Sequence, residues 1–179
     1  RDNDAEWYNG CTYSERTNAK FATANYSTTE DNTQLNVTND TYTALYQGIE
    51  KANIAIDNIR QYGDVENNAG MAHLLGEALT LRALIYVELM RTFGDVPARF
   101  EQTTNENTYL PRSSQDDIYK QILADLEEAE NYCYWPNENT VTKTTERVSK
   151  AFVKGLRARI ALAAGGYALY GDGYRKSKA

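Results

Sequence analysis

Two cysteines and one histidine in 179 residues leave little material for metal or thiol chemistry. Cys11 and Cys133 stand far apart, outside any CxxC or Cys/His cluster. A structural zinc site needs about four such ligands. A disulfide between them stays open, because two positions alone do not fix a pairing. His73 falls in a helical pattern with no Ser or Cys nucleophile motif beside it. It reads as a helix-surface or packing histidine, so no metal site, cofactor or catalytic triad is expected. Long apolar runs are missing too. Nothing approaches the ~20 residues of a membrane span, and no signal peptide is expected at the head of the chain. Positive charge is short, with 19 Lys+Arg against 25 Asp+Glu and a net charge of −6. Phosphate contacts need a basic face, so nucleic acid is not an expected partner.

What the chain has in plenty is tyrosine, 14 residues against only 4 Phe. Tyrosine joins an apolar ring to a polar tip and suits wet binding surfaces as well as cores. The first forty residues are rich in Asn, Thr, Asp and Ser, with Trp7, Tyr8, Tyr13, Phe21 and Tyr26 at no regular period. They read as an extended, loop-rich segment. Its sequons at Asn25, Asn36 and Asn39 arise readily by chance in such a composition.

From Asp40 the pattern turns helical. Leu45, Ile49, Ala52, Ile56 and Ile59 form one amphipathic stripe, with Asp40 or Thr41 as N-cap and Tyr62-Gly63 as stop. A second helix is predicted from about Asn68 to Phe93, apolar on two faces and therefore buried on more than one side. Gly94-Asp95-Val96-Pro97 is its exit; no glycine-rich phosphate loop is present. Ser113 and Ser114, each with Asp three residues on, cap a third helix that reaches about Tyr132. A fourth runs from about Ser149 to Ala164, where Gly165-Gly166 stops it. Its small residues (Ala158, Ala161, Ala163, Ala164, Gly165) predict close helix packing. Tyr170-Gly171-Asp172-Gly173 reads as a turn, with no packed element after it. The fold class is all-α, tetratricopeptide-like helical hairpins over residues 41–179, preceded by the loop-rich segment 1–40.

Glu77, Arg82, Arg91 and Asp95 invite a catalytic reading, but their spacing suits structure. Arg91 and Asp95 are four apart at a helix end, where an ion pair forms locally. Arg82 lies among apolar residues and must find a buried partner, Asp125 or Glu77. Glu127, Glu128 and Glu130 read as a solvated helix face. No pair of carboxylates is placed as a glycosidase would need, so no enzyme activity is expected.

Gly76-Glu77-Ala78-Leu79-Thr80-Leu81-Arg82-Ala83-Leu84-Ile85-Tyr86, followed by Arg91-Thr92-Phe93-Gly94-Asp95-Val96-Pro97, resembles the signature of the SusD/RagB family. Tyr46-Gln47-Gly48-Ile49-Glu50-Lys51-Ala52-Asn53, Pro111-Arg112-Ser113-Ser114 with Ile118-Tyr119, and Arg147-Val148-Ser149-Lys150-Ala151 resemble its neighbouring helices in order and spacing. These are surface nutrient-binding lipoproteins of Bacteroidetes. The chain departs from them at Trp135-Pro136, where members often have Leu-Pro. Members run several hundred residues, so the resemblance implies the N-terminal portion of one, with the lipidated cysteine outside this chain. Cys11 lacks the apolar signal that a lipid anchor needs before it.

The resemblance implies non-catalytic capture of an oligosaccharide at the outer face of the outer membrane, to which a lipid anchor would hold the protein. Delivery to a SusC-like TonB-dependent transporter is implied with it. RagB-like peptide binding and a helical-repeat protein adaptor are the alternatives. For a sugar, an aromatic ring stacks on the apolar face of the pyranose while amides and guanidiniums take its hydroxyls. Arg16, Asn18, Phe21 and Tyr26 are the candidates, in the stretch where the family's early-loop glycan contacts fall. Tyr109, Tyr134 and Trp135 are further loop aromatics, whereas Tyr42, Tyr46, Tyr86 and Tyr119 lie on helical stripes and are expected in the core.

Overall fold

A computed structural model describes residues 40–178. The chain divides into two compact units, Arg1–Ala44 and Leu45–Ala179, and the described residues belong to the second apart from residues 40–44. The loop-rich reading of residues 1–40, its three sequons and Cys11 lie outside the described residues. Among the described residues four helices follow in order: α1 (Asp40–Tyr62), α2 (Ala69–Phe93), α3 (Gln115–Tyr132) and α4 (Lys150–Gly165). Two short strands close the series, β1 (Tyr167–Tyr170) and β2 (Gly173–Lys176).

Local chemistry sets most of the boundaries. The Asn68 side chain accepts from the Met71 N–H at 3.1 Å and starts α2. Ser114 and Ser149 do the same for α3 and α4 through the N–H groups of Asp117 and Phe152. Gly94, at φ +71°, ends α2 in a conformation that L side chains rarely adopt, and its N–H bonds to the Met90 carbonyl at 2.9 Å. α1 already includes Asp40 and Thr41, the two residues expected to cap it. Helix ends differ by a residue or two from pattern-based readings for this reason.

Helices α2, α3 and α4 pack in sequence, so the expected helical hairpins are present. Ile49 and Ile56 from α1, Leu79, Tyr86 and Leu89 from α2, Ile118, Ile122 and Leu126 from α3, and Ile160 from α4 are fully buried. Two glycines allow close approach between successive elements. A Cβ on Gly48 would lie 2.9 Å from Ile85 Cδ1, and one on Gly76 would lie 2.6 Å from Cys133 Sγ. Cys133 is a free, buried thiol in the space that Gly76 leaves. Burial pushes its pKa up to about 12, which makes it an inert packing group.

Two expectations need correcting. The small residues of α4 do not mark a packed face: Ala158, Ala161, Ala163 and Gly165 are exposed, and only Ala164 is buried. Leu162, on the same exposed side, is 80% accessible. Small residues permit close approach without requiring it. The segment after α4 is also a packed element. Its turn is flanked by an antiparallel hairpin that pairs Leu169 with Tyr174 and Tyr167 with Lys176. Asp116 at the start of α3 holds it, accepting from Arg175 Nη2 at 2.7 Å, Ser177 Oγ at 2.6 Å and the Lys178 N–H at 2.7 Å. Four-residue strands carry too little alternation to be read locally, and the partner that fixes them lies some sixty residues earlier.

Gly76 and Gly155 make a matched test. Gly76→Ala should destabilise by about 1–3 kcal/mol, because the new methyl meets the Cys133 sulfur and the Ala129 carbonyl. Gly155→Ala, with nothing within 4 Å of the new methyl, should stabilise by about 0.5–1 kcal/mol through helix propensity. Urea denaturation of both variants checks the opposite signs; equal shifts would contradict the close approach at Gly76.

Candidate functional site

The two long connections between helices carry the exposed aromatics Tyr109 and Trp135, and each connection is fastened to the scaffold by buried charge. Residues 94–114 are pinned through Arg82. Its guanidinium gives Nε and Nη2 to Asp125 Oδ2 at 3.0 and 2.7 Å. Nη1 goes to Asn53 Oδ1 at 2.9 Å and to the Phe100 carbonyl at 3.0 Å. Asn53 turns its amide to the carbonyls of Arg99 and Glu101, at 3.1 and 2.9 Å. The Tyr86 hydroxyl donates to the Arg99 carbonyl at 2.7 Å and accepts from the Arg99 N–H at 2.6 Å. The Tyr46 hydroxyl holds the Pro97 carbonyl at 2.8 Å. The loop thus inserts backbone groups among α1, α2 and α3, where they would otherwise lack partners.

Farther out, this loop encloses a shallow cavity of about 260 Å³ beside Ala98, Arg99, Phe100, Glu101, Asn107 and Leu110. Its polar side chains are mostly engaged inside the loop. Arg99 donates to the carbonyls of Asn107 and Thr108, and Asn107 bonds the backbone of Gln102 and Thr104. Tyr109, 95% exposed, lies in the same loop.

Residues 133–149 are fastened by Glu77. Its carboxylate takes Arg147 through both oxygens and the Val148 N–H at 3.2 Å. Burial alone would raise the Glu77 pKa, but the Arg147 hydrogen bonds and charge bring it below the usual range. His73 lies one turn earlier, 2% exposed. Its Nδ1 accepts from the Tyr134 N–H at 3.4 Å, and its ring stacks on Tyr134 with centroids 4.8 Å apart. Its Nε2 is buried with no hydrogen-bond partner among the described residues, 3.8 Å from Glu77 Oε1. Burial lowers the His73 pKa against the pull of Glu77, so the ring is held neutral.

The structure sorts the sequence candidates. Arg16, Asn18, Phe21 and Tyr26 lie outside the described residues. Of the loop aromatics, Tyr134 is a packing group against His73, whereas Tyr109 and Trp135 face solvent. Tyr86 and Tyr119 are buried, as expected, and Tyr46 is half-buried. His73 packs in the interior. Between the two partners offered for Arg82, the structure selects Asp125; Glu77 belongs to Arg147 instead.

The pair expected between Arg91 and Asp95 does not form. Arg91 reaches Glu88 at 3.0 Å, while Asp95 accepts from the Gln115 backbone and side chain. Gly94 turns the chain out of the helix between them, so a spacing of four no longer brings them together. Nor are the acidic residues of α3 simply solvated. Glu130 binds Lys154 at 2.7 Å and Arg157 at 3.0 Å, Glu127 binds Arg157, and Glu128 binds Arg60. Their partners come from other helices, which the pattern of one helix does not display.

An antiparallel helical scaffold that fastens two long connections is an architecture of tetratricopeptide type. The chain belongs to the SusD-like family described as starch-binding and associating with the outer membrane, whose model matches residues 2–162. A SusD-like protein of Formosa agariphila is 34% identical over 114 residues, 61% of this chain and 21% of that protein. A SusD superfamily structure from Parabacteroides distasonis is 29% identical, with a TM-score of 0.63 over 73% of this chain and 27% of that one. A laminarin-binding SusD-like protein shares the fold, with a TM-score of 0.64 and 21% identity over 82% of this chain and 30% of that one. The chain therefore spans between about a fifth and a third of the length of these relatives.

Removing one partner of the buried pair leaves an unpaired charge, so Arg82→Ala or Asp125→Ala should each destabilise by about 3–5 kcal/mol. A double substitution to Met and Leu should lose distinctly less. Denaturant midpoints for the three variants decide this; additive losses would mean that the pair is not coupled. His73 gives a pH dependence. A histidine whose folded pKa lies below its unfolded value of about 6.5 contributes stability that is present above that value and lost as pH falls below it. Thermal midpoints from pH 7.5 to 5 should fall more steeply for the parent chain than for His73→Phe. Parallel curves would exclude His73 as the source.

Proposed function

We propose that this chain is the front part of a cell-surface glycan-capturing protein that binds an oligosaccharide without cleaving it. The ligand would then pass to a SusC-like TonB-dependent transporter in the outer membrane. The observation that carries the reading is the family match across residues 2–162, described as starch-binding and associating with the outer membrane. The laminarin-binding relative supports a glycan as the ligand class. The charge placement agrees. Glu77, Arg82 and Asp125 are engaged in structural contacts, while Tyr109 and Trp135 are exposed.

The mechanism is stacking plus hydroxyl hydrogen bonding. Phe21 and Tyr26 would present rings to the apolar face of a pyranose, with Arg16 and Asn18 taking its hydroxyls. A lipid anchor would hold the protein at the extracellular face of the membrane.

Titration calorimetry against laminari- and malto-oligosaccharides should give saturable binding that Phe21→Ala and Tyr26→Ala weaken by about tenfold, with the fold intact. Flat glycan titrations beside measurable binding of a peptide mixture would replace sugar by peptide. Affinity capture from native membranes should recover a TonB-dependent transporter. Recovery of soluble proteins alone would favour an adaptor.

A further inference from the structure

We propose that Trp135 is a sugar-stacking platform built on the 133–149 loop; this rests on the glycan reading above. A single exposed aromatic is ordinary on a protein surface and means little by itself. Three features set Trp135 apart.

The first is exposure: Trp135 is 49% exposed on the surface of the 133–149 connection.

The second is rigidity. The Trp135 N–H donates to Glu138 Oε2 at 2.5 Å. Its carbonyl accepts from the Thr142 hydroxyl at 2.8 Å and from the Glu138 N–H at 3.2 Å. The Asn137 N–H reaches the Thr142 carbonyl at 3.0 Å, and Asn139 Oδ1 accepts from the N–H groups of Val141 and Thr142. On the N-terminal side, Tyr134 is stacked on His73 and its carbonyl accepts from the Lys150 N–H at 2.7 Å. Much of the ordering cost of presenting a ring to a ligand is thus met before the ligand arrives.

The third is the set of polar groups around the ring. Lys150 Nζ stands 5.8 Å from the ring centroid, over one face. Glu138 is exposed, and Asn137, held at φ +61°, is exposed at the tip of the turn. A cation over one face of the ring, with an exposed carboxylate and an exposed amide within three residues of it in sequence, suits a pyranose, whose axial C–H groups present an apolar face and whose equatorial hydroxyls point outward from it. A purely apolar partner would leave these groups unsatisfied.

The test uses the full chain carrying Trp7→Phe, so that Trp135 is the one remaining tryptophan. Titration with laminari- or malto-oligosaccharides should give a saturable change in Trp135 emission. Trp135→Ala and Trp135→Leu should weaken binding by about tenfold in calorimetry, while Trp135→Phe keeps most of it. Trp135→Leu keeps an apolar side chain in place and should leave the thermal midpoint unchanged, which separates lost contact from lost fold. Unaltered affinity in both the Ala and Leu variants would overturn the platform and leave the glycan reading intact. Absence of glycan binding by the parent chain would overturn the glycan reading and the platform with it.

Discussion

The second unit depends on one buried guanidinium. Arg82 connects α2 to α3 through Asp125, to α1 through Asn53, and to the 94–114 loop through the Phe100 carbonyl. Burying a full positive charge is expensive unless its hydrogen bonds are met, and here the carboxylate, the amide and the carbonyl meet them together. Gln121 completes the arrangement by donating to the other Asp125 oxygen at 2.9 Å. Apolar residues of similar volume could fill the same space. They would not specify where the loop backbone lies, because dispersion is indifferent to register and a forked donor is not. Phe100 stays beside the guanidinium, with its ring 5.1 Å from Arg82 and 4.7 Å from Tyr86.

This dependence explains what the sequence discloses. The helices follow from periodicity and capping: Asn68, Ser114 and Ser149 each satisfy a first-turn donor, and Gly94 stops α2. The need for an Arg82 partner is legible because it sits among Leu81, Ala83 and Leu84. The identity of that partner is not, since Asp125 and Glu77 offer equal chemistry and only the packing of α3 on α2 chooses. Asn53 carries no local sign of its role, yet it is fully buried between Arg82 and two loop carbonyls. The hairpin escapes for a similar reason. Its strands are short, and Asp116, which fixes them, looks like an ordinary first-turn acid of α3.

The 133–149 connection repeats the logic with different groups. Glu77 projects from α2 and takes Arg147 and the Val148 N–H, just as Arg82 takes the backbone of the earlier loop. His73 adds a neutral ring that both stacks on Tyr134 and accepts its N–H. The signature stretch of α2 thus places two charged groups five residues apart, and each fastens one of the two long connections. Read alone, Glu77 and Arg82 look like material for a catalytic site. In the fold they are sheltered from solvent and committed to backbone anchoring.

That arrangement is one the proposed glycan capture would use. A binding protein that holds a weakly interacting, heavily hydrated ligand gains affinity by limiting what must be ordered on contact, since each freshly immobilised side chain costs about 0.5–1.5 kcal/mol. Here the ordering is carried by the scaffold. Helices α2 and α3 are joined through Arg82, α3 and α4 through Glu130 with Lys154 and Arg157, and the loops through Arg82 and Glu77. Tyrosine fits the same scheme from both sides. Tyr86, fully buried, directs its hydroxyl at loop backbone, while Tyr109 leaves its ring in solvent. One residue type therefore fastens the loops and arms their surfaces, because its ring packs equally well against leucine or a sugar while its hydroxyl needs only one polar neighbour.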